Sequence, residues 1–209
     1  MNLIVFGPTG EVGKQLVKQA LYKGHHVKAY GRNVFTEDLP QNDNLELIQG
    51  ALFDEGPVFK AIKGCDAVLS ALSGSVTGTD VTRSLGIKNM VAQMQKVGVK
   101  TIVALGGYAV LNGEDDTMIM DAKDFPPEEM ITATEHNKAY QILKGSATEW
   151  VFVCPESIKD AEVTGRYITR ADHLPDPNTA LINSGDIALF MLNELEKKEY
   201  VKHRVGICN

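Results

Sequence analysis

Residues 4–15 read IVFGPTGEVGKQ, a short apolar run that passes directly into a glycine-rich turn ending in lysine. Two kinds of phosphate-binding turn begin this way. A triphosphate loop follows GxxxxGK[ST], in which the hydroxyl after the lysine holds Mg²⁺. Here Gln15 follows Lys14, and Gly7 and Gly13 stand one residue too far apart. The spacing that fits is Gly7-x-x-Gly10-x-x-Gly13 between a strand and a helix, the arrangement that receives a dinucleotide pyrophosphate. In that arrangement Gly7 permits the tight turn, Gly10 lets the backbone approach the phosphates, and Gly13 lets the helix pack close to the strand. The unpaired first N–H groups of the helix then face the anion. Lys14 reads as an ordinary exposed helix residue.

Outward from this turn, short apolar or β-branched runs alternate with helical periodicity, the pattern of a parallel sheet with helices on both faces. Strands are expected at Leu3–Phe6, His26–Tyr30, Leu45–Gln49, Ala67–Ser70, Thr101–Ala104 and Trp150–Val153. A helix is expected from about Thr79 to Lys96, where Ile87, Met90, Val91, Met94 and Val97 recur at the spacing of a sheet-packed face. Another runs from Pro127 to Lys144, opened by a Pro-Pro pair. The fold class is therefore α/β, a Rossmann-like doubly wound parallel sheet of order 3-2-1-4-5-6 in a single domain. A small C-terminal substrate lobe is expected mainly from residues 156–183. There GRYITR and the residues after LPDPN read as an antiparallel strand pair, followed by a helix that Ser184 or Asp186 starts.

Bulk composition narrows the partners. The chain has 209 residues, 44% of them hydrophobic, enough for one domain with a proper core. A net charge of −6 without any basic cluster argues against nucleic acid, whose affinity rests on Lys and Arg displacing counterions. Cys65, Cys154 and Cys208 lack CxxC or Cys/His ligand spacing and read as reduced, buried thiols of a cytoplasmic protein, with no metal site. No run is apolar enough to span a bilayer and no cleavable leader is seen, so the expectation is a soluble monomer or homodimer acting on a small molecule.

The end of the second strand reads AYGRN. An NAD-selective site usually places an acid there for the ribose hydroxyls, but Gly31 takes that position and Arg32 and Asn33 follow. A guanidinium binds a 2′-phosphate in forked geometry, so NADPH is expected over NADH.

GPTGEVG, the Arg after strand two, GCDAVLSALSG after strand four and the glycine-rich end of strand five together resemble the atypical short-chain dehydrogenase/reductases. Within these the chain is similar to the NAD(P)H-binding NmrA-like group, in the branch of the biliverdin-IXβ and flavin reductases. The likeness continues through HNKAYQILKGSATEWVFVCPESI to DIALFMLNELEKKEY. It implies that Gly7, Thr9, Gly10, Glu11 and Val12 surround the pyrophosphate, that Arg32 takes the 2′-phosphate and that Leu52 lies near adenine. It further implies Ala71, Leu72 and Ser73 along the ribose and pyrophosphate. Leu105, Gly106 and Gly107, with Cys154, Pro155, Glu156 and Ser157, are implied beside the nicotinamide. The chain departs from that pattern at Ala51, where an Asp is common, at Thr36, where a second Arg stands, and at Gly107 and Ser157, where the biliverdin reductases carry serine and histidine.

Tyr140 and Lys144 match YxxxK, the pair that protonates a carbonyl in ordinary short-chain dehydrogenases, but they lie just before Gly145 and strand six, away from the cofactor end. The lysine reads instead as a helix C-terminus. Without that pair the fitting reaction is hydride transfer to an acceptor that spreads charge itself: a flavin, a quinone or an extended tetrapyrrole. Tyr108 and Ser157 are the candidate catalytic residues, Tyr108 by stacking or donating its hydroxyl, and His136 reads as a partly exposed structural histidine. Residues 109–125 are long for a connection and read as a lid. The alternative is an NADP(H)-sensing regulator that binds the cofactor without turnover.

Overall fold

The computed structural model describes residues 1–36, 39–72 and 80–209. In chain order the elements are β1 (Asn2–Phe6), α1 (Glu11–Tyr22), β2 (His26–Gly31), β3 (Leu45–Gln49), α2 (Glu55–Ile62), β4 (Ala67–Ser70), α3 (Thr82–Val97) and β5 (Thr101–Leu105). Then follow α4 (Met130–Lys144), β6 (Glu149–Pro155), β7 (Ser157–Lys159), β8 (Ile168–Ala171), β9 (Leu181–Asn183), α5 (Ser184–Lys197) and β10 (His203–Cys208). The main sheet runs β3-β2-β1-β4-β5-β6-β10-β8, so the expected order 3-2-1-4-5-6 is present and two strands extend it. From β3 to β10 the pairing is parallel.

Both faces of the sheet are buried, which explains why its strands are near-continuous apolar runs. Along β1 the side chains alternate between two cores: Leu3 and Val5 join Leu16, Val17 and Ala20 of α1 and Ile187 and Met191 of α5. Ile4 and Phe6 join Ile62 of α2, Met90 and Met94 of α3, and Leu143 of α4. Met90 and Met94 are fully buried, so the methionine spacing in α3 marks its packed face. Each such side chain removed from water contributes roughly 1.5–3 kcal/mol. Gly98 ends α3 in the left-handed region at φ 82°, where a Cβ would be strained.

The C-terminal part departs from the expected arrangement. Residues from GRYITR do form β8, but β8 joins the main sheet antiparallel to β10, while β9 pairs in parallel with β7 in a separate two-stranded ladder. A strand's own alternation says which face is buried and not which neighbour it pairs with. β10 was not foreseen from the sequence, although Val205 and Ile207 are buried on one face of it. Asn183, rather than Ser184 or Asp186, occupies the N-cap of α5. Asp186 is instead spent on a loop: its carboxylate accepts from Thr164 N–H at 2.8 Å, Thr164 Oγ1 at 2.7 Å and Gly165 N–H at 2.8 Å.

The stretch 109–125 is fastened down and is not a free lid. Leu111, Met120 and Phe125 are buried in the core. Arg204, 7% exposed on β10, donates to the Val110 carbonyl and, at 2.8 Å, to Asn112 Oδ1. Its guanidinium also lies 4.8 Å from the centre of the Tyr140 ring. A buried charge is tolerated only when paired, and Asp172 Oδ1 supplies the counter-charge at 3.2 Å. Among the described residues no helix is long and apolar enough to cross a membrane.

Candidate cofactor groove and adjoining cleft

The turn after β1 is held open by glycine where the backbone demands it. Gly7 sits at φ +76°, and a Cβ there would lie 2.5 Å from the Ala71 carbonyl oxygen. A Cβ on Gly13 would lie 2.0 Å from the Gly7 carbonyl oxygen, so the first turn of α1 packs onto the loop only because Gly13 has no side chain. Gly10 occupies the N-cap of α1, and no side chain among the described residues caps that helix. Its leading N–H groups are thus directed to the loop, with the positive end of the helix dipole behind them. Lys14 is half-buried rather than exposed.

This turn forms one wall of a groove of about 330 Å³ lined by Gly7, Thr9, Gly10, Arg32, Asn33, Leu52 and Leu72, together with Tyr30, Phe53 and Thr82. Tyr30 is buried and donates its hydroxyl to the Ala51 carbonyl at 2.9 Å, which ties the ends of β2 and β3 into one floor. The Arg32 carbonyl accepts from Gln49 Nε2 at 2.8 Å, so its backbone is anchored while its side chain is exposed. Among the described residues no carboxylate pairs with the Arg32 guanidinium. Glu11 is exposed and Val12 is buried, so neither side chain lines the groove; only their N–H groups are near the turn. Ala71 backs Gly7 from below. Ser73 lies outside the described residues.

A second cavity, about 360 Å³, adjoins the first across Leu72 and the start of α3. Leu105, Gly106, Gly107, Tyr108, Pro155 and Glu156 line it, so the structure brings these sequence candidates together in one cleft. Two expected neighbours do not. Cys154 is fully buried in the core packed behind the cleft, its thiol donating to the Phe152 carbonyl at 3.3 Å, and burial pushes its ionisation upward. Ser157 is exposed on β7 and is not among the lining residues, whereas Ile158 is. The glycines are tight: a Cβ on Gly106 would meet the Phe152 ring at 2.6 Å, and one on Gly107 would meet His136 at 2.9 Å.

Three features of this cleft were not legible in the sequence. His136 lies inside α4 and is 8% exposed, not partly exposed as expected. Burial, reinforced by the Arg83 charge, lowers its pKa to about 3, so the ring is neutral at ordinary pH. Arg83, from the first turn of α3, lines the same wall, and burial lowers its pKa against the opposing pull of Asp80 and Glu135. Glu129 accepts the Tyr108 hydroxyl at 2.7 Å. Burial first, then this bond and the charges of Glu129 and Glu156, raise the Tyr108 pKa, so the phenol is protonated and its proton is already engaged.

Tyr140 and Lys144 line neither cavity. The Tyr140 ring packs edge-on against Trp150 at 5.8 Å and stacks with Phe152 at 6.5 Å, beneath the sheet's core surface. Lys144 is 5.7 Å from its ring centre at the C-terminal end of α4.

A glycine turn after the first strand, bare helix amides behind it and a groove across the point where strand order reverses between β1 and β4 define a Rossmann-type dinucleotide-binding protein. The chain belongs to the NAD(P)H-binding family, whose profile matches residues 7–198. It is 24% identical over 216 residues to the uncharacterized protein YwnB of Bacillus subtilis, covering 100% of this chain and 99% of that one. Among solved structures it resembles a presumed NADH-flavin reductase of Streptococcus pneumoniae, with TM-score 0.82, 27% identity and coverage of 100% and 99% of the two chains. A presumed exported protein of Burkholderia pseudomallei matches with TM-score 0.85 and 25% identity over 100% of both chains.

Proposed function

We propose that the protein is an NADPH-dependent reductase that passes a hydride to a conjugated small molecule of the flavin or quinone class. The observation that carries this reading is the junction of the glycine-turn groove with a second, mostly apolar cleft across Leu72. The residues fit a dinucleotide: a Cβ at Gly7 would collide with the Ala71 backbone and one at Gly13 with the Gly7 carbonyl, so only glycine lets the turn close against α1 with its N–H groups toward the groove. Gly7, Thr9, Gly10 and the first N–H groups of α1 would hold the pyrophosphate, and Leu52 and Phe53 the adenine. Arg32, with Asn33 beside it and no acid at Gly31, would hold a 2′-phosphate. A charge-assisted bond of this kind is worth roughly 1.5–3 kcal/mol, enough to prefer NADPH over NADH despite Thr36.

When bound, the cofactor supplies the hydride. The chain's own residues do the positioning. Gly106 and Gly107 let the turn after β5 lie close against Phe152 and His136, and the Tyr108 ring, tilted 6.3 Å from Phe125, forms a wall for an aromatic acceptor. Because Glu129 holds the Tyr108 proton, the proton that completes the reduction is expected from water, which suits an acceptor that delocalises charge. Support also comes from the likeness to the Streptococcus pneumoniae protein.

The test is a titration with NADPH and NADH, followed by oxidation of the preferred cofactor in the presence of riboflavin and menadione. Turnover with either supports the reductase. Tight NADPH binding with no oxidation across the panel would make the protein a dinucleotide sensor instead.

A further inference from the structure

The charged groups around the second cleft are sorted by depth. Glu128 and Glu129, from the short 3₁₀ turn Pro127–Glu129, and Glu156, from the corner between β6 and β7, line it and are exposed. Glu129 and Glu156 come from different elements, yet both act on the Tyr108 hydroxyl, so the two carboxylates border the same part of the mouth. Arg83 is the one cation among the described lining residues, and Asp80 and Glu135 stand beside it. The lining thus carries three carboxylates against one guanidinium.

The inner wall has the opposite character. His136 Nδ1 is enclosed and has no hydrogen-bond partner. A neutral imidazole carries one N–H, and an enclosed orphan donor costs more than an enclosed orphan acceptor. The proton therefore belongs on Nε2, which lies beside Gly107, 2.9 Å from where a Cβ would stand. The wall at Gly107 then offers a fixed N–H donor, with the Arg83 charge nearby.

We propose that this cleft selects an acceptor with a carbonyl-bearing edge at one end and an uncharged, hydroxyl-bearing tail at the other: an unphosphorylated flavin such as riboflavin, in preference to its phosphate ester FMN or to any polycarboxylate. The carbonyl edge meets His136 Nε2–H and Arg83; the hydroxyls donate to Glu128, Glu129 and Glu156. A phosphate at that end would face the same carboxylates across a water-filled mouth. Coulomb repulsion there corresponds to a discrimination on the order of tenfold at low ionic strength, most of it screened at high salt.

The inference rests on the reductase reading for its choice of ligand, but its test reads binding. The full chain is titrated against riboflavin and FMN by quenching of flavin fluorescence, at about 0.02 M and about 0.5 M salt. The expected result is riboflavin binding about tenfold tighter at low salt, with the gap closing at high salt. The triple variant Glu128→Gln, Glu129→Gln, Glu156→Gln closes it at low salt, and because the salt series needs no variant, a misfolded triple mutant leaves the test intact. FMN binding as tightly as riboflavin at low salt, a gap that resists salt, or no binding of either flavin overturns the proposal. Selective riboflavin binding without NADPH oxidation would sink the reductase reading and keep this one; NADPH oxidation without flavin selectivity would do the reverse.

Discussion

The groove around Gly7 and the cleft beyond Leu72 adjoin each other but are built from different material. The first takes the wall beside α1 from one continuous turn, and what matters there is backbone: a positive φ at Gly7 and a Cβ-free contact between Gly13 and the Gly7 carbonyl. The second takes its walls from the start of α3, the turn after β5, the first half of α4 and the β6–β7 corner, and what matters there is side chains. A backbone cradle tolerates no added atom. A side-chain cleft can be retuned residue by residue.

The largest expected effect tests the backbone half. Gly7→Ala puts a methyl group 2.5 Å from the Ala71 carbonyl oxygen at φ +76°, and Gly13→Ala puts one 2.0 Å from the Gly7 carbonyl oxygen. Each should cost about 3 kcal/mol or more in urea unfolding and abolish NADPH binding. A wild-type midpoint and affinity would show that the turn is not the rigid cradle described. Next, Arg32→Ala should raise the NADPH dissociation constant roughly ten- to a hundredfold while leaving that of NADH near its original value. An equal loss for both cofactors would remove the 2′-phosphate assignment.

The third prediction addresses the side-chain half. His136 ionises near 3 in the folded chain against 6.5 for an ordinary histidine, chiefly through burial. Between those values the unfolded chain binds the extra proton, so this group's contribution to stability is complete above the unfolded pKa and falls as pH drops through the window. His136→Phe removes that dependence. Between about pH 7 and about pH 5 the variant should lose roughly 2 kcal/mol less stability than the parent. Parallel pH profiles of the two proteins would mean that His136 titrates normally.

The smallest effect separates both halves from the rest of α4. Tyr140→Phe and Lys144→Ala, which border neither cavity, should each change NADPH oxidation by less than about twofold. A collapse in turnover with normal cofactor binding would mean that the YxxxK pair reaches the chemistry after all.

Much of the backbone half is legible in the sequence, because Gly7, Gly10 and Gly13 act within a single turn and Gly31 and Arg32 are adjacent at the end of one strand. Ser157 and Cys154 stand outside the cleft for the opposite reason. Which of 154, 156, 157 and 158 meets the cleft depends on how β6 bends into β7, and the bend places Glu156 and Ile158 there while Cys154 sinks into the core. The stretch 109–125 looked like a lid because its length was visible and its anchor was not: Arg204, which holds Val110 and Asn112, is about ninety residues away in the chain.

By itself the amino-acid order determined the strand–turn–helix opening, the parallel sheet and the cationic end of the second strand, since local backbone freedom and apolar periodicity are properties of neighbouring residues. Tertiary structure alone decided that β8 pairs with β10, that His136 is enclosed and neutral, and that Arg83 and three glutamates share one cavity. Those outcomes depend on solvent exclusion and on charges brought close by packing, and neither is a property of any short segment of the chain.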